Sequence, residues 1–437
     1  MIHCLPAATA ALALSAPTGW NPPAPAPRPG AAPGASVPPG AVAPEESRLL
    51  SGHVQLTSRD AFVKAGEAYF DHHSPPRWII FQAVPVPPAG REPDPFYSMY
   101  VARLTRNAQG EIVGIGPPVL VSPPGSANTC GWFHPSEPGL VMFGSTLRPP
   151  AAEQAAGFQV GTRKYVWQFP EETEVCVARV ALPAEPTPGQ SAPPARPEPL
   201  FTRAHYDAEC TWSPDGRHVL YTHVREPKDE NDRPDADIWV YDTRRDRHTP
   251  LVEAPGYDGG PFFSPDGTMI CYRSDRRLDD RLQVFVARLE RGPDGAITGL
   301  ASERQLTDDS HVNFGPFWHP SGRFLAFGSS AVGHHNYEVF AIEVDLEKKS
   351  ADLRQRRVTH APGADLLPAF SDDGALMMWT AQRGPLASGE TRPSSQVWLV
   401  RVRDAGDWLK ETPPAAQPAP DSAPPPAPSP PARPHQP

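Results

Sequence analysis

Apolar residues in this chain come in short runs cut by turn-forming residues, and one order of runs returns along most of its length. Four segments align directly: CTWSPDGRHVLYTHV (210–224), PFFSPDGTMICYRSD (261–275), PFWHPSGRFLAFGSS (316–330) and PAFSDDGALMMWTAQ (368–382). Two looser copies precede them, GWFHPSEPGLVMFGS (131–145) and AYFDHHSPPRWIIFQ (68–82). An aromatic residue stands just before the turn in every copy, at Phe70, Phe133, Trp212, Phe263, Trp318 and Phe370. In the turn, proline fixes φ and glycine accepts the positive φ that reverses the chain. Each copy therefore reads as two strands of a hairpin.

A third apolar run follows each hairpin after a variable loop, at 97–104, 174–180, 237–243, 282–289, 337–344 and 396–402. A shorter fourth run, often ending in a Leu-Thr-like pair, follows at 119–122, 199–202, 250–253, 304–307 and 356–359. Four short antiparallel strands per repeat make one blade of a propeller. The sixth repeat lacks a fourth run, and the missing one stands at the other end of the chain as HVQLT, 53–57. The pattern predicts an all-β, six-bladed β-propeller of four-stranded antiparallel blades, closed by an N-terminal strand that completes the last blade. Such closure removes an exposed sheet edge.

Composition sets the limits of this domain. Of 437 residues, 60 are proline, and they bunch in 17–44 and 413–437, which hold almost nothing to bury. Segments of that kind cannot recover their ordering entropy. The expected division is a signal peptide over 1–16, a Pro/Ala-rich disordered linker over 17–48, the propeller over 49–410 and a Pro-rich disordered tail over 411–437. The net charge of −10, with no basic stripe interleaved with aromatics, speaks against nucleic acid. No apolar run reaches the ~18 residues of a membrane span. The apolar start MIHCLPAATAALALSA has the small residues of a secretory signal, although no Lys or Arg precedes them, and it points to a periplasmic or secreted protein. Cys130, Cys176, Cys210 and Cys271 show no CxxC or metal-ligand spacing and read as small buried side chains on strands.

The Ser-Pro-Asp-Gly repeats with trailing Leu-Thr strands resemble the WD-like propeller repeats of the TolB family, over about residues 49–403. The resemblance implies a propeller that binds partner proteins outside the cytoplasm. It does not extend to the family's separate N-terminal α/β domain, for which residues 1–48 offer no counterpart.

Candidate chemistry follows from the blade geometry. Asp215, Asp266 and Asp373 sit in the turns and are expected to bond their own backbone. Five residues before the aromatic anchors stand Ala65, Asn128, Asp207, Asp258, Asn313 and Asp365. Five of these six positions thus carry Asp or Asn near the channel mouth opposite the turns. Such a ring either shapes the chain entering each strand or forms a ligand-binding funnel for cations or basic peptides, including Ca²⁺. His311, His334 and His335, with His205 and His360, belong to connections on that same face and are candidate ligands for a transition metal. Some lyases acting on oligogalacturonides resemble this repeat family and hold a channel metal with histidines, but with seven blades, so no site is carried across. No Gly-x-Ser-x-Gly elbow and no phosphate-binding Gly-rich loop occur. A hydrolase domain of the prolyl-oligopeptidase kind is not expected, since only the Pro-rich tail follows residue 410. The long loops 84–96, 146–173, 225–236 and 381–395 mark the same rim for recognition. The third is acidic, with Glu226, Asp229, Glu230, Asp232 and Asp235, and Asp237 opens the strand after it.

These features lead to the expectation of a non-enzymatic binding scaffold for a protein, peptide or glycan, with no cofactor required. The alternative expectation is a metal-dependent lyase or hydrolase acting on an extracellular polymer. A third is a structural module tethered by its Pro-rich ends.

Overall fold

The computed structural model describes residues 42–151, 170–182, 195–225, 235–386 and 388–410. The expected signal peptide, most of the linker, the tail, parts of the second and third long loops with Glu226, Asp229, Glu230 and Asp232, and residues 183–194 lie outside the described residues.

Six antiparallel sheets follow one another in sequence. Blade one has Phe62–Phe70, Trp78–Pro85, Ser98–Arg106 and an outer edge in two pieces, Ile112–Ile115 and Val119–Leu120. The innermost strands of the next five blades are Asn128–Phe133, Asp207–Trp212, Asp258–Phe263, Asn313–Trp318 and Asp365–Phe370. Each packs against the innermost strand of the next blade, and the sixth packs against the first, so the ring is complete. The outermost strand of blade six is Leu50–Gln55, paired antiparallel with Gln396–Val402. It lies a few residues before the expected 53–57.

Two sequence signatures have clear local causes. In the turns, Ser213, Ser264 and Ser371 donate to Asp215, Asp266 and Asp373, and each serine oxygen accepts the amide five residues on. The three aspartates also accept the amide two residues on, the self-contained turn role expected of them. Blades two and five replace that serine with His134 and His319, whose Nδ1 accepts the amide two residues on.

The Leu-Thr pair has the second cause. The hydroxyl oxygens of Thr57, Thr307 and Thr359, and of Ser122 in blade one, accept the backbone N–H of Val397, Val284, Val339 and Met99. The residue before each donates its own N–H to the carbonyl of that same third-strand residue. A buried hydroxyl thus takes over where the fourth strand ends and pairs that third-strand amide in these four blades.

The fold begins earlier than the expected boundary at residue 49. A single turn of helix, Pro44–Ser47, buries Glu46 completely. Arg383 donates to both of its oxygens (2.6 and 2.9 Å), His360 N–H donates to Oε2 (2.6 Å), and His53 Nε2 lies 2.6 Å from Oε1. At the other end, Trp408 is wholly buried against Phe324 and Phe370. No helix among the described residues is long and apolar enough to cross a membrane.

Candidate binding site at the turn face of the channel

Every innermost strand breaks its ladder three residues before the aromatic anchor, and that of blade one has a second break near its start. The residue there takes a positive φ: Glu67, Cys130, Glu209, Gly260, Gly315 and Leu367, between 46° and 60°. Glycine meets that demand without strain in two blades; the other four spend a side chain in a left-handed conformation. These six residues together line a cavity of about 10 Å³ on the channel axis. That is close to the volume of one water-sized probe.

The polar side chains of this layer satisfy one another. The Cys130 thiol donates to Glu67 (2.9 Å), and Tyr69 does so at 3.3 Å. Glu209 Oε2 accepts from the Tyr257 hydroxyl and the Gly260 N–H, both at 2.6 Å, and from Arg273 at 3.2 Å. Burial pushes the Glu67 carboxyl up, with Glu209 adding to the rise, while the Cys130 bond and the Arg273 charge pull it down. Burial and the neighbouring carboxylates also push the Cys130 thiol well above its usual range. A thiol shifted in that direction is the opposite of an activated thiolate.

Two residues closer to the turns, the strands present Tyr69, Trp132, Thr211, Phe262, Phe317 and Ala369. The four aromatic rings close on one another across the axis. Tyr69 and Trp132 are 4.9 Å apart, Phe262 and Phe317 5.1 Å, and Trp132 and Phe262 5.6 Å. This cluster plugs the channel. On its outer side opens a cup of about 400 Å³, floored by these rings and walled by Pro135, Pro214, Pro265 and Pro320 of the turns. Its size falls within the ~300–1,000 Å³ of ligand pockets. The polar groups at its edge include His72 and Asp372, 3.0 Å apart.

The expected ring of Asp and Asn is present as a position: each of the five is the first residue of an innermost strand. All are buried, at 0–7% exposure. Asn128 donates to two carbonyls and accepts from Ser126 and Ser145. Asp207 Oδ1 lies 2.7 Å from His223 Nδ1. Asp258 accepts from Ala254 N–H and Arg276, and burial lifts its carboxyl to about 6 against the pull of Ser274 and Arg276. Asn313 donates to Asp309 and Gln283, and Asp365 is clasped by Arg383 and the Trp379 indole. These contacts are those of strand anchors.

His311 is half-buried, its N–H donating to Asp309 and its carbonyl accepting from Gln283. His334 and His335 are exposed, and His334 lies 3.4 Å from the Tyr337 hydroxyl. Among the described residues no group of three His, Cys, Asp or Glu side chains is arranged to hold a metal ion. Cys176, Cys210 and Cys271 are buried strand residues, while Cys130 belongs to the axial cluster.

The open cup is lined from another offset than the Asp and Asn ring. The floor stands at one residue before each anchor, and Tyr69, Trp132, Phe262 and Phe317 at that offset were an available signal. Two adjacent aromatics at a strand end otherwise read as core.

No family model matches the chain. An uncharacterized peptidase, YuxL, of Bacillus subtilis (strain 168) is 28% identical over 214 residues, 47% of this chain and 30% of that protein. An uncharacterized protein, Atu1656, of Agrobacterium fabrum (strain C58 / ATCC 33970) is 30% identical over 136 residues, 31% of this chain and 39% of that protein. The chain thus spans well under half the length of these curated relatives. Among solved structures, a TolB from Acinetobacter baumannii aligns at a TM-score of 0.40 and 14% identity, covering 70% of this chain and 60% of that one. A luciferin-regenerating enzyme aligns at 0.46 and 11%, covering 80% and 94%. An oligogalacturonate lyase from Vibrio parahaemolyticus aligns at 0.41 and 10%, also covering 80% and 94%. The aligned structures thus include both TolB and enzymes.

Proposed function

We infer that this chain is a TolB-like binding propeller acting outside the cytoplasm, and that its ligand, a peptide or glycan presented by a partner, seats in the aromatic cup at the turn face. The observation that carries this reading is the cup itself: four converging aromatic rings and four turn prolines around about 400 Å³. Aromatic surfaces of that kind stack on sugar rings, prolines and apolar side chains at low entropic cost. At the opposite mouth the Asp and Asn side chains are buried, and Asn128, Asp207 and Asp365 hydrogen-bond neighbouring groups at the strand starts.

The test is to pan a displayed random peptide library, and in parallel probe an array of neutral and acidic oligosaccharides, with the full chain. Ligands recovered should lose affinity by about tenfold or more on Trp132→Ala or Phe317→Ala, the behaviour of a buried aromatic anchor. Circular dichroism on the same samples shows whether each variant is folded. Ligands that bind both folded variants as well as the parent would place recognition elsewhere and overturn this reading.

A further inference from the structure

We propose that the cup's resident ligand is the chain's own proline-rich C-terminal segment, residues 411–437, which occupies the cup until a partner displaces it. The inference rests on the cup being the binding site, and three observations carry it.

The first is where the described chain ends. The strand Gln396–Val402 finishes at the turn face, where Val402 N–H donates to Ala375 O beside the Ser371-Asp372-Asp373-Gly374 turn. The next residues stay on that face: a Cβ at Gly406 would lie 3.8 Å from Arg323, in the corresponding turn of blade five. Trp408 then inserts against Phe370, with 5.8 Å between ring centres, and Phe370 is itself a wall of the cup. Lys410 is exposed. The segment beyond it therefore starts on the face that carries the cup.

Reach is the second. The segment comprises 27 residues (411–437). In polyproline II geometry at ~3.1 Å per residue such a length extends roughly 80 Å, several times the distance across a blade.

The third is chemistry. PPAAQPAPDSAPPPAPSPPARPHQP is dense in proline and carries few charges. Proline-rich segments dock on aromatic-lined grooves because their extended form is already ordered before binding. The cup offers indole, phenol and phenyl faces and proline walls, with a charged edge pair, His72 and Asp372, whose members face each other. Tethering also removes the need for high affinity. A segment held by a short linker experiences a millimolar effective concentration, so a weak contact in trans becomes occupancy in cis.

The experiment compares the full chain with a chain ending at Lys410, each titrated calorimetrically with a synthetic peptide of residues 411–437. The truncated chain should bind the peptide with a Kd of about 0.1 mM or tighter, and the full chain, whose own segment competes at a roughly millimolar effective concentration, should bind it at least about tenfold more weakly. Binding to the truncated chain should fall about tenfold with Trp132→Ala. The milder double change Pro214→Ala with Pro265→Ala, two exposed turn prolines of the cup wall, should weaken it too and keeps the test valid if the first variant unfolds. No binding to the truncated chain, equal binding to both chains, or binding indifferent to both cup variants would overturn the proposal. Library ligands that need Trp132 yet bind the two chains equally would sink the resident-tail idea alone and leave the cup as the binding site. Ligands that ignore Trp132 would sink both.

Discussion

At the scale of single residues, the most consequential side chain lies in a stretch of sequence with no visible pattern. Glu46 follows a run of Pro, Ala and Gly, and its only local signal is a four-residue helix start with Pro at its first position. Its partners, Arg383 and His360, are more than 300 residues away, so no periodicity could announce the contact. Asp365 is a related case. The sequence shows that a carboxylate begins the strand but not that Arg383 bridges it to Glu46. Burial raises the Glu46 carboxyl, but the bonds from His53 and Arg383, the Arg383 charge and the His360 amide outweigh it and hold the group at about 2, against an ordinary value of 4.5. A lowered folded value stabilises the native state above the unfolded value and is lost as pH falls toward the folded one. Replacing Glu46 by Gln should therefore lower stability by about 2–3 kcal/mol at pH 7. The gap between variant and parent should narrow from about pH 4.5 and close near pH 2. Denaturant midpoints at a series of pH values check this, and a pH-independent gap would mean that the pairing is not electrostatic.

At the scale of the element, the strand pattern was legible because each blade repeats one physical solution. Apolar faces alternate with turn chemistry, and the six aromatic anchors mark equal positions in six strands. What escaped was the interruption inside the innermost strand. Glu67, Cys130, Glu209 and Leu367 share no residue type with Gly260 and Gly315, yet all six adopt the same positive φ. The closing geometry of the ring imposes that bulge, and local preference does not. The Leu-Thr pair shows the opposite case, a short motif with a mechanism readable once the bond is seen. Thr57→Val keeps shape but removes the acceptor for Val397 N–H, leaving a buried donor unpaired. That change should cost about 1–3 kcal/mol, measured by urea unfolding, whereas Thr57→Ser should recover most of the loss. Equal losses in both variants would show that the methyl group, and not the hydroxyl, matters there.

For the whole ring, the question is what closes it, since outside the aromatic cluster on the axis the blades pack against their neighbours. The N-terminal segment answers at the one place where chain continuity cannot. Leu49 and Leu50 pack into the seam between blades five and six, and Val54 and Leu56 into the seam between blades six and one. All four are at most 9% exposed. Burying each is worth about 1.5–3 kcal/mol, so together they contribute roughly 6–12 kcal/mol before entropy is subtracted. A whole domain retains only about 5–15 kcal/mol of net stability. The same segment covers Gln396–Val402, which would otherwise be an unpaired edge with Val397 and Leu399 at its core. Removing residues 42–57 should thus do more than fray one blade: the product should lose its cooperative thermal transition or aggregate through the bared edge. Adding residues 42–57 back as a separate peptide should restore the transition in proportion to peptide concentration, since the strand would then bind by mass action. A shortened chain that melts cooperatively at the parent's temperature would show that the remaining blade contacts close the ring unaided.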